Sequence, residues 1–388
     1  MSGMRVLVLG ADGYLGWATC MHLSAAGHQV AGLDNYFRRD LARNLDLPPL
    51  LDPPALPQRA RLWRERSGRE IPVFIQDLCD YDALVEVMRR FEPQAVVHYA
   101  EQPSAPYSMM GPAEARTTLV NNLVSTLNLV QAIGALDRGV HVVKLGTMGV
   151  YGTPNIDIEE GYLTVQHKGR EHTFLYPKTP GSLYHLTKAQ DGDLLYFYCR
   201  MWDLAVTDLN QGPVYGIFSQ EAGDDPRLLP PLAYDDIFGT VLNRFVVQAA
   251  AGVPLTVYGQ GGQTRGYLNL MDTLTCVRLA LESPAEPGQY RVFNQFTETF
   301  TVMELARAVV EAGAELGLQV EVNNIPNPRR EAEEHYYNPV HRGLLELGLQ
   351  PHYLDTAMLV KMLRLVLEHR DRIRRDLMDP RVTWQGGA

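Results

Sequence analysis

The sequence predicts an α/β protein built on a doubly wound parallel sheet, with a smaller C-terminal α/β lobe. Three observations carry that prediction. Short β-branched runs alternate with helical periods through the first two hundred residues, a glycine-spaced turn (GADGYLG) joins the first run to the first helical period, and beyond Gly212 the alternation gives way to shorter, irregular pieces. The first two are the marks of a Rossmann-type nucleotide-binding sheet.

Taken in order, RVLVLG reads as the first strand, GWATCMHLSAAG as the first helix, QVAGLD as the second strand and PVFIQD as the third. YDALVEVMRRF and NNLVSTLNLVQAIGAL are helical, and the strands AVVHYA and HVVKLGT follow the same scheme. Between Asn35 and Pro72 a Pro-rich stretch (LPPLLDPPALP) precedes an Arg-rich amphipathic segment, an insertion that is either a lid or a surface excursion. After PRLLPPLAYDD come a helix around TVLNRFVVQAAAG, a strand around LTVYG and a helix near MDTLTCVRLALES that returns to the sheet. YRVFNQ and QVEVNNI, with the helices TVMELARAVVEAGAELG and MLVKMLRLVLEHRDRI, complete a lobe. The expected division is a cofactor domain over 1–212 with a returning segment at about 235–283, and a substrate lobe from 213–234 and 284–388. Ligands are then expected at the carboxyl ends of the strands.

Composition narrows the function. A net charge of -10 and the absence of any Lys/Arg run leave no basic field for nucleic acid. Cys20, Cys79, Cys199 and Cys276 stand far apart without a metal-ligand pattern, which predicts free thiols in a reducing compartment and no structural metal. MSGMR leads straight into the first strand, and no apolar window approaches a membrane span, so a cytoplasmic protein is expected.

The turn places Gly10, Gly13 and Gly16 between strand and helix, where a pyrophosphate can approach the backbone and the helix N-terminus. Asp34 ends the second strand, at the position from which a carboxylate accepts from a ribose diol and repels a 2′-phosphate, favouring NAD. Arg38 and Arg39 follow closely and could stack on adenine or neutralise a phosphate. Asp77 suits either the adenine edge or the N-cap of the next helix.

Tyr184 and Lys188, four apart in YHLTK, project from one helix face. A neighbouring ammonium makes a phenol usable as a base, and Thr147 in LGTMGVYG can bond the same substrate oxygen. Together with the turn and Asp34 these residues favour alcohol oxidation; with both Tyr184 and Lys188 intact, a non-catalytic NAD-binding role is disfavoured.

At this point the chain resembles the extended short-chain dehydrogenase/reductase family of nucleotide-sugar enzymes, and within it the sulfoquinovose synthase branch. The likeness rests on ADGYLGWAT, SAPYSM, VKLGTMG, YGTPNIDIEEGY, TDLNQGPVYG, LTVYGQGGQTRGY and NPRREAEEHYYN, and on the long spacer between Tyr151 and Tyr184. It implies tightly bound NAD and a UDP-sugar substrate, UDP-glucose first, in a homodimer formed through the helices around NNLVSTLNLVQAIGAL and YHLTKAQDGDLLYFYCRMW. In such enzymes the sugar C4 hydroxyl is oxidised, water leaves from C6, sulfite adds and the hydride returns. The implied cofactor set is Gly10, Asp12, Gly13, Tyr14, Leu15, Gly16, Asp34, Asn35, Arg38, Asp77, Leu78, Tyr99, Ala100, Glu101, Asn122, Tyr184, Lys188 and Gln211. The implied catalytic set is Thr147, Tyr184 and Lys188, with His185 either a second acid/base or a plain helix histidine. Asn210, Arg244, Gln263, Arg265 and Arg329 match a UDP-sugar clamp, with Thr147 at the sugar and Val257 and Tyr258 of LTVYG beside the uracil.

The chain departs from the family pattern at two positions, Val150 where the family has glutamate and Pro103 where it has arginine. Both are expected to face the site, so either other residues complete the chemistry at C5 and C6 or the enzyme is a 4-epimerase or 5,6-dehydratase that does not use sulfite.

Overall fold

The computed structural model describes residues 3–136, 138–329, 335–382 and 384. Seven strands form one parallel sheet, in the order Tyr290–Gln295, Ala205–Gln211, His141–Thr147, Ala95–His98, Arg5–Leu9, Gln29–Asp34, Val73–Ile75. Alternation along the first strand feeds two apolar layers: Val6 and Val8 pack with Trp17, Cys20 and Met21, while Leu7 and Leu9 pack with Leu33, Leu84 and Val96 on the opposite face. The chain order of the strands reverses between Arg5–Leu9 and Ala95–His98, and the ligand crevice of a doubly wound sheet opens at such a point.

The structure moves two expected boundaries. Tyr290–Gln295, assigned above to the C-terminal lobe, is the edge strand of the central sheet, paired along its whole length with Ala205–Gln211. Conversely, helix Val241–Ala251, assigned to the returning segment, packs against helices Val302–Glu315 and Thr356–Glu368. Strand Leu255–Tyr258 likewise pairs with Val322–Ile325 in the lobe, and only helix Leu270–Glu282 returns to the sheet, against helix Gly16–Ala25 and strand His141–Thr147. Periodicity identified the elements, but nothing in a local pattern says which of two apolar surfaces an element covers.

The insertion after the second strand is not a surface excursion. Its helix Leu56–Ser67 packs into the large core through Leu56 and Trp63, and Trp63 Nε1 donates to Ser24 Oγ at 3.1 Å. The spacer before helix Leu183–Trp202 holds an unforeseen antiparallel hairpin, Tyr162–His167 with Arg170–Leu175. Lys168 and Gly169, both with positive φ (50° and 75°), close its two-residue turn, the geometry that suits the right-handed strand twist. Among the described residues no helix is long and apolar enough to cross a membrane, and Cys20, Cys79, Cys199 and Cys276 are free.

Candidate active site

One cavity of about 1020 Å³ runs along the carboxyl ends of the strands, from the glycine turn to the C-terminal lobe. At the turn, Gly10 has φ 84°, and a β-carbon there would lie 2.8 Å from both Ala100 N and Tyr99 C, so only glycine fits. Helix Gly16–Ala25 starts without a side-chain cap and without an acid in its first turn, which leaves its N-terminal N–H groups and positive dipole end for an anion in the cavity. These are the features a dinucleotide pyrophosphate requires, and the residues present fit it.

Asp34 lines the cavity next to the turn. Its two oxygens accept from Asp12 N (2.9 Å) and Tyr36 N (2.6 Å), while burial and the Asp12 charge push its carboxyl up to about 6. Asp12, expected to touch cofactor, has its carboxylate gripped from the insertion: Arg39 donates two bonds of 2.9 Å and fully buried Arg59 a third of 2.5 Å. Asp12 therefore braces the turn through its side chain. Arg38 lies flat on Phe238, 3.4 Å from the ring centroid, and burial pushes its guanidinium down to about 10. Asn35, Asp77, Leu78, Tyr99, Ala100, Glu101 and Gln211 also line the cavity, with Tyr14, Leu15, Gly13 and Gly16. Of the two readings of Asp77, the N-cap fails, because Asp80 caps the next helix by accepting from Ala83 N.

Two expected cofactor residues stand elsewhere. Asn122 is fully buried behind the wall, where its oxygen accepts from Gln102 N (2.7 Å) and its amide donates to Thr187 Oγ1 (3.0 Å), tying the Gln102 loop to helix Leu183–Trp202. Asn121 and Ser125 of the same helix reach the cavity instead. Lys188 is only 3 % exposed and does not line the cavity; its ammonium donates to Glu101 Oε1 at 2.6 Å.

Thr147, Tyr184 and His185 do meet on one wall. The strand His141–Thr147 ends in a short 3-10 turn, and Thr147 Oγ1 accepts from Gly149 N at 3.2 Å, leaving its own proton to donate outward. Tyr184 and His185 open helix Leu183–Trp202, capped by Ser182. Burial, then the Glu101 charge, raises the Tyr184 phenol, and Lys144 works against both. The Ser182 hydroxyl lies 2.9 Å from His185 Nδ1, fixing the ring. Gly149 makes room for that ring, since a β-carbon there would lie 2.4 Å from His185 Nε2. Burial, followed by the charges of Arg329 and Arg265, pushes the imidazole down to about 3, so it is neutral at neutral pH.

The far end of the cavity carries Arg244, Tyr258, Gln263, Arg265 and Arg329. Arg244 donates to Thr256 Oγ1 (3.0 Å) and Tyr258 Oη (3.2 Å), and Arg265 Nη1 lies 3.2 Å from His335 Nε2. Asn210 and Val257 do not line it: Asn210 donates to Tyr151 Oη at 2.7 Å, and the Val257 side chain is fully buried in the core. Pro103 faces the cavity as expected, but Val150 does not. Val150 is 2 % exposed and packs with Met148, Tyr151, Ile158, Tyr176 and Phe296. Tyr337, Phe238 and Trp384 line the cavity without having been foreseen; each is an ordinary aromatic residue in sequence and is brought in by tertiary packing.

Comparison with known proteins agrees with this geometry. Residues 6–294 match the family described as NAD dependent epimerase/dehydratase. The chain belongs to that family. It is 49 % identical over 381 residues to the chloroplastic UDP-sulfoquinovose synthase of Spinacia oleracea, covering 98 % of this chain and 79 % of the relative. With the UDP-sulfoquinovose synthase of Sulfolobus acidocaldarius the identity is 40 % over 385 residues, 98 % of each chain. Among solved structures, the UDP-glucose 4-epimerase of Bifidobacterium longum in complex with NAD+ and UDP superposes with a TM-score of 0.71 at 18 % identity, covering 95 % of this chain and 99 % of that one; at that identity the likeness is one of fold.

Proposed function

We propose that the protein oxidises the C4 hydroxyl of a UDP-hexose, UDP-glucose first, with bound NAD, and carries the 4-keto sugar on to a C6-modified product as a UDP-sulfoquinovose synthase does. The observation that carries this reading is the meeting of Thr147, Tyr184 and His185 on one cavity wall, between the glycine turn and the Arg244, Arg265 and Arg329 cluster. NAD, when bound, supplies reversible hydride acceptance at C4. Tyr184 takes the hydroxyl proton and Thr147 donates to the same oxygen. Oxidation acidifies the C5 hydrogen, and His185 Nε2, neutral and aimed past Gly149, is the base for it. A diphosphate seated on Arg265 and Arg329 offsets the cations that lower the proton affinity of His185, so the base strengthens when substrate is in place.

Pro103 favours a second reading in which sulfite is not used, because it puts an uncharged ring in the cavity wall. Incubation with UDP-glucose, with and without sulfite, and separation of the sugar nucleotides by mass distinguishes the two. A sulfite-dependent mass gain supports the first reading, UDP-galactose or loss of water alone supports the second, and unchanged sugar nucleotide refutes both.

A homodimer is part of the proposal. Leu119, Val120 and Leu127 on helix Pro112–Gly134, and Leu186, Phe197, Met201 and Trp202 on helix Leu183–Trp202, are all more than a third exposed, and these two helices pack together. A cytoplasmic site of action fits the four free cysteines.

A further inference from the structure

Two cations and three carboxyl groups are enclosed together, Glu101 in the cavity wall and Lys144, Lys188, Asp191 and Asp208 behind it, with no side chain more than 5 % exposed. Each lysine has one counter-ion. Lys188 donates to Glu101 Oε1 at 2.6 Å, and Lys144 stands 3.4 Å from both oxygens of Asp208, which also accepts from Tyr290 Oη. The third carboxyl, Asp191, lies three residues beyond Lys188 on the same helix and has no cation of its own.

Fully ionised, the cluster would bury a net negative charge, which is costly in a medium that cannot solvate it. His98 does not offset it: the ring stands 3.8 Å from Glu101 Oε1, but burial pushes it down to about 4, so it is neutral. One added proton balances the account, and the hydrogen bonding says where it resides. Among the described residues, Glu101 Oε2 and both Asp191 oxygens are buried and have no donor, while the two carboxyl groups lie within hydrogen-bonding reach of each other. Two acceptor groups in contact are satisfied only by a hydrogen between them.

We infer that Glu101 and Asp191 share a single proton and form a buried positioning pair that sets the net charge facing the Tyr184 phenol. The groups facing the pair are Lys188 and Tyr184 from its own helix, His98 from the fourth sheet strand and Lys144 from the fifth, with Asp208 and Tyr290 beyond Lys144. With the proton on Asp191, Glu101 is ionised and holds Lys188, which leaves Tyr184 a neutral phenol. Transfer of the proton to Glu101 moves the negative charge to Asp191, whose influence on the phenol is smaller, and so favours the phenolate. The balance therefore sets the pH at which Tyr184 becomes a base.

The test is infrared difference spectroscopy of the holoenzyme at neutral pH, comparing wild type with D191N, E101Q and, as a control, D193N, whose carboxylate is 62 % exposed. Wild type and D193N should show a deuteration-sensitive band of a protonated carboxyl group. D191N should lose it, and so should E101Q, because removing either carboxyl leaves two cations facing two anions. Absence of the band in wild type, or its persistence in both variants, overturns the inference. If D191N does not fold, E101Q alone carries the spectroscopic comparison. A second readout is the pH profile of bound-NAD reduction by UDP-glucose. The E101Q/D191N double variant leaves both lysines against Asp208 alone, so its acid limb should move down by about one pH unit or more, further than in either single variant; an unmoved limb refutes the link to Tyr184. This second readout rests on the proposed C4 oxidation and the infrared one does not, so an intact band in protein that oxidises no sugar counts against that reaction and not against the shared proton.

Discussion

Val150→Glu tests the placement of the loop after Thr147 directly. The valine is 2 % exposed, and its neighbours Met148, Tyr151, Ile158, Tyr176 and Phe296 offer no cation. A carboxyl introduced there must be neutral in the folded protein, and holding it neutral at pH 7 against an unfolded value near 4.3 costs roughly 4 kcal/mol. The larger side chain adds about 1–3 kcal/mol of overpacking. The sign follows from the raised folded-state value: the electrostatic part is absent below about pH 4 and grows as pH rises, so that at pH 5 only about 1 kcal/mol of it remains. Urea unfolding of V150E relative to wild type, at pH 5 and pH 7, should show about 3 kcal/mol more destabilisation at the higher pH. V150Q has the same size and no charge, and should show an offset that does not change with pH. A V150E protein as stable as wild type at pH 7 would mean that the side chain reaches the cavity, and the burial assigned to this position would be wrong.

Three other perturbations probe the remaining parts of the site. Ser182→Ala removes the cap of the catalytic helix and the partner of His185 Nδ1, so thermal unfolding should register a loss of about 1 kcal/mol; steady-state assays should find kcat about tenfold lower with KM little changed. Gly10→Ala places a β-carbon 2.8 Å from two backbone atoms at a φ of 84°, so the protein should purify without NAD, as its absorbance spectrum would report, and with a stability loss above about 1 kcal/mol. Arg59→Met takes one partner from the Asp12 carboxylate and should cost about 3 kcal/mol in denaturant titrations; a loss under about 1 kcal/mol would show that Arg39 alone holds the turn.

How much of this was legible before the structure depended on how local the signal was. The glycine turn, Asp34, Thr147 and the Tyr184 helix are short-range features whose geometry follows from a few consecutive residues, and all of them line the cavity. Val150 marks the limit: it follows Thr147 by three residues, yet the 3-10 turn over Met148–Val150 sends it into an apolar cluster while Gly149 stays at the cavity wall. A strand-end residue can point either way, and only the turn geometry decides. Asn122 and Asn210 were misplaced for a similar reason, since each is polar and near the site but is consumed by internal hydrogen bonds. The hairpin at 162–175 does carry a local signal, two β-prone runs separated by Lys168 and Gly169. Asp191 carried none: an acid three residues after a lysine on a helix ordinarily faces water, and its burial emerges only when the sheet and the helix enclose it.

The cofactor preference gains a physical basis that the sequence left open. Arg38 and Arg39 follow Asp34 closely enough to receive a 2′-phosphate, but the fold gives each of them other contacts. Arg39 is engaged by the carboxylates of Asp12 and Asp52 and the carbonyl of Pro53, and Arg38 is stacked on Phe238 with Asp235 as its nearest acid influence. Arg59, the third guanidinium of the region, is also spent on Asp12, through both its carboxylate and its carbonyl. A phosphate on the ribose would therefore meet the Asp34 carboxylate, with Arg39 bound to other oxygens and Arg59 fully buried against Asp12. A diol would find in Asp34 an acceptor held in place by two backbone N–H groups. Arg39 and Arg59 hold the turn to the insertion through Asp12, so selection for NAD and stabilisation of the binding turn draw on one set of contacts.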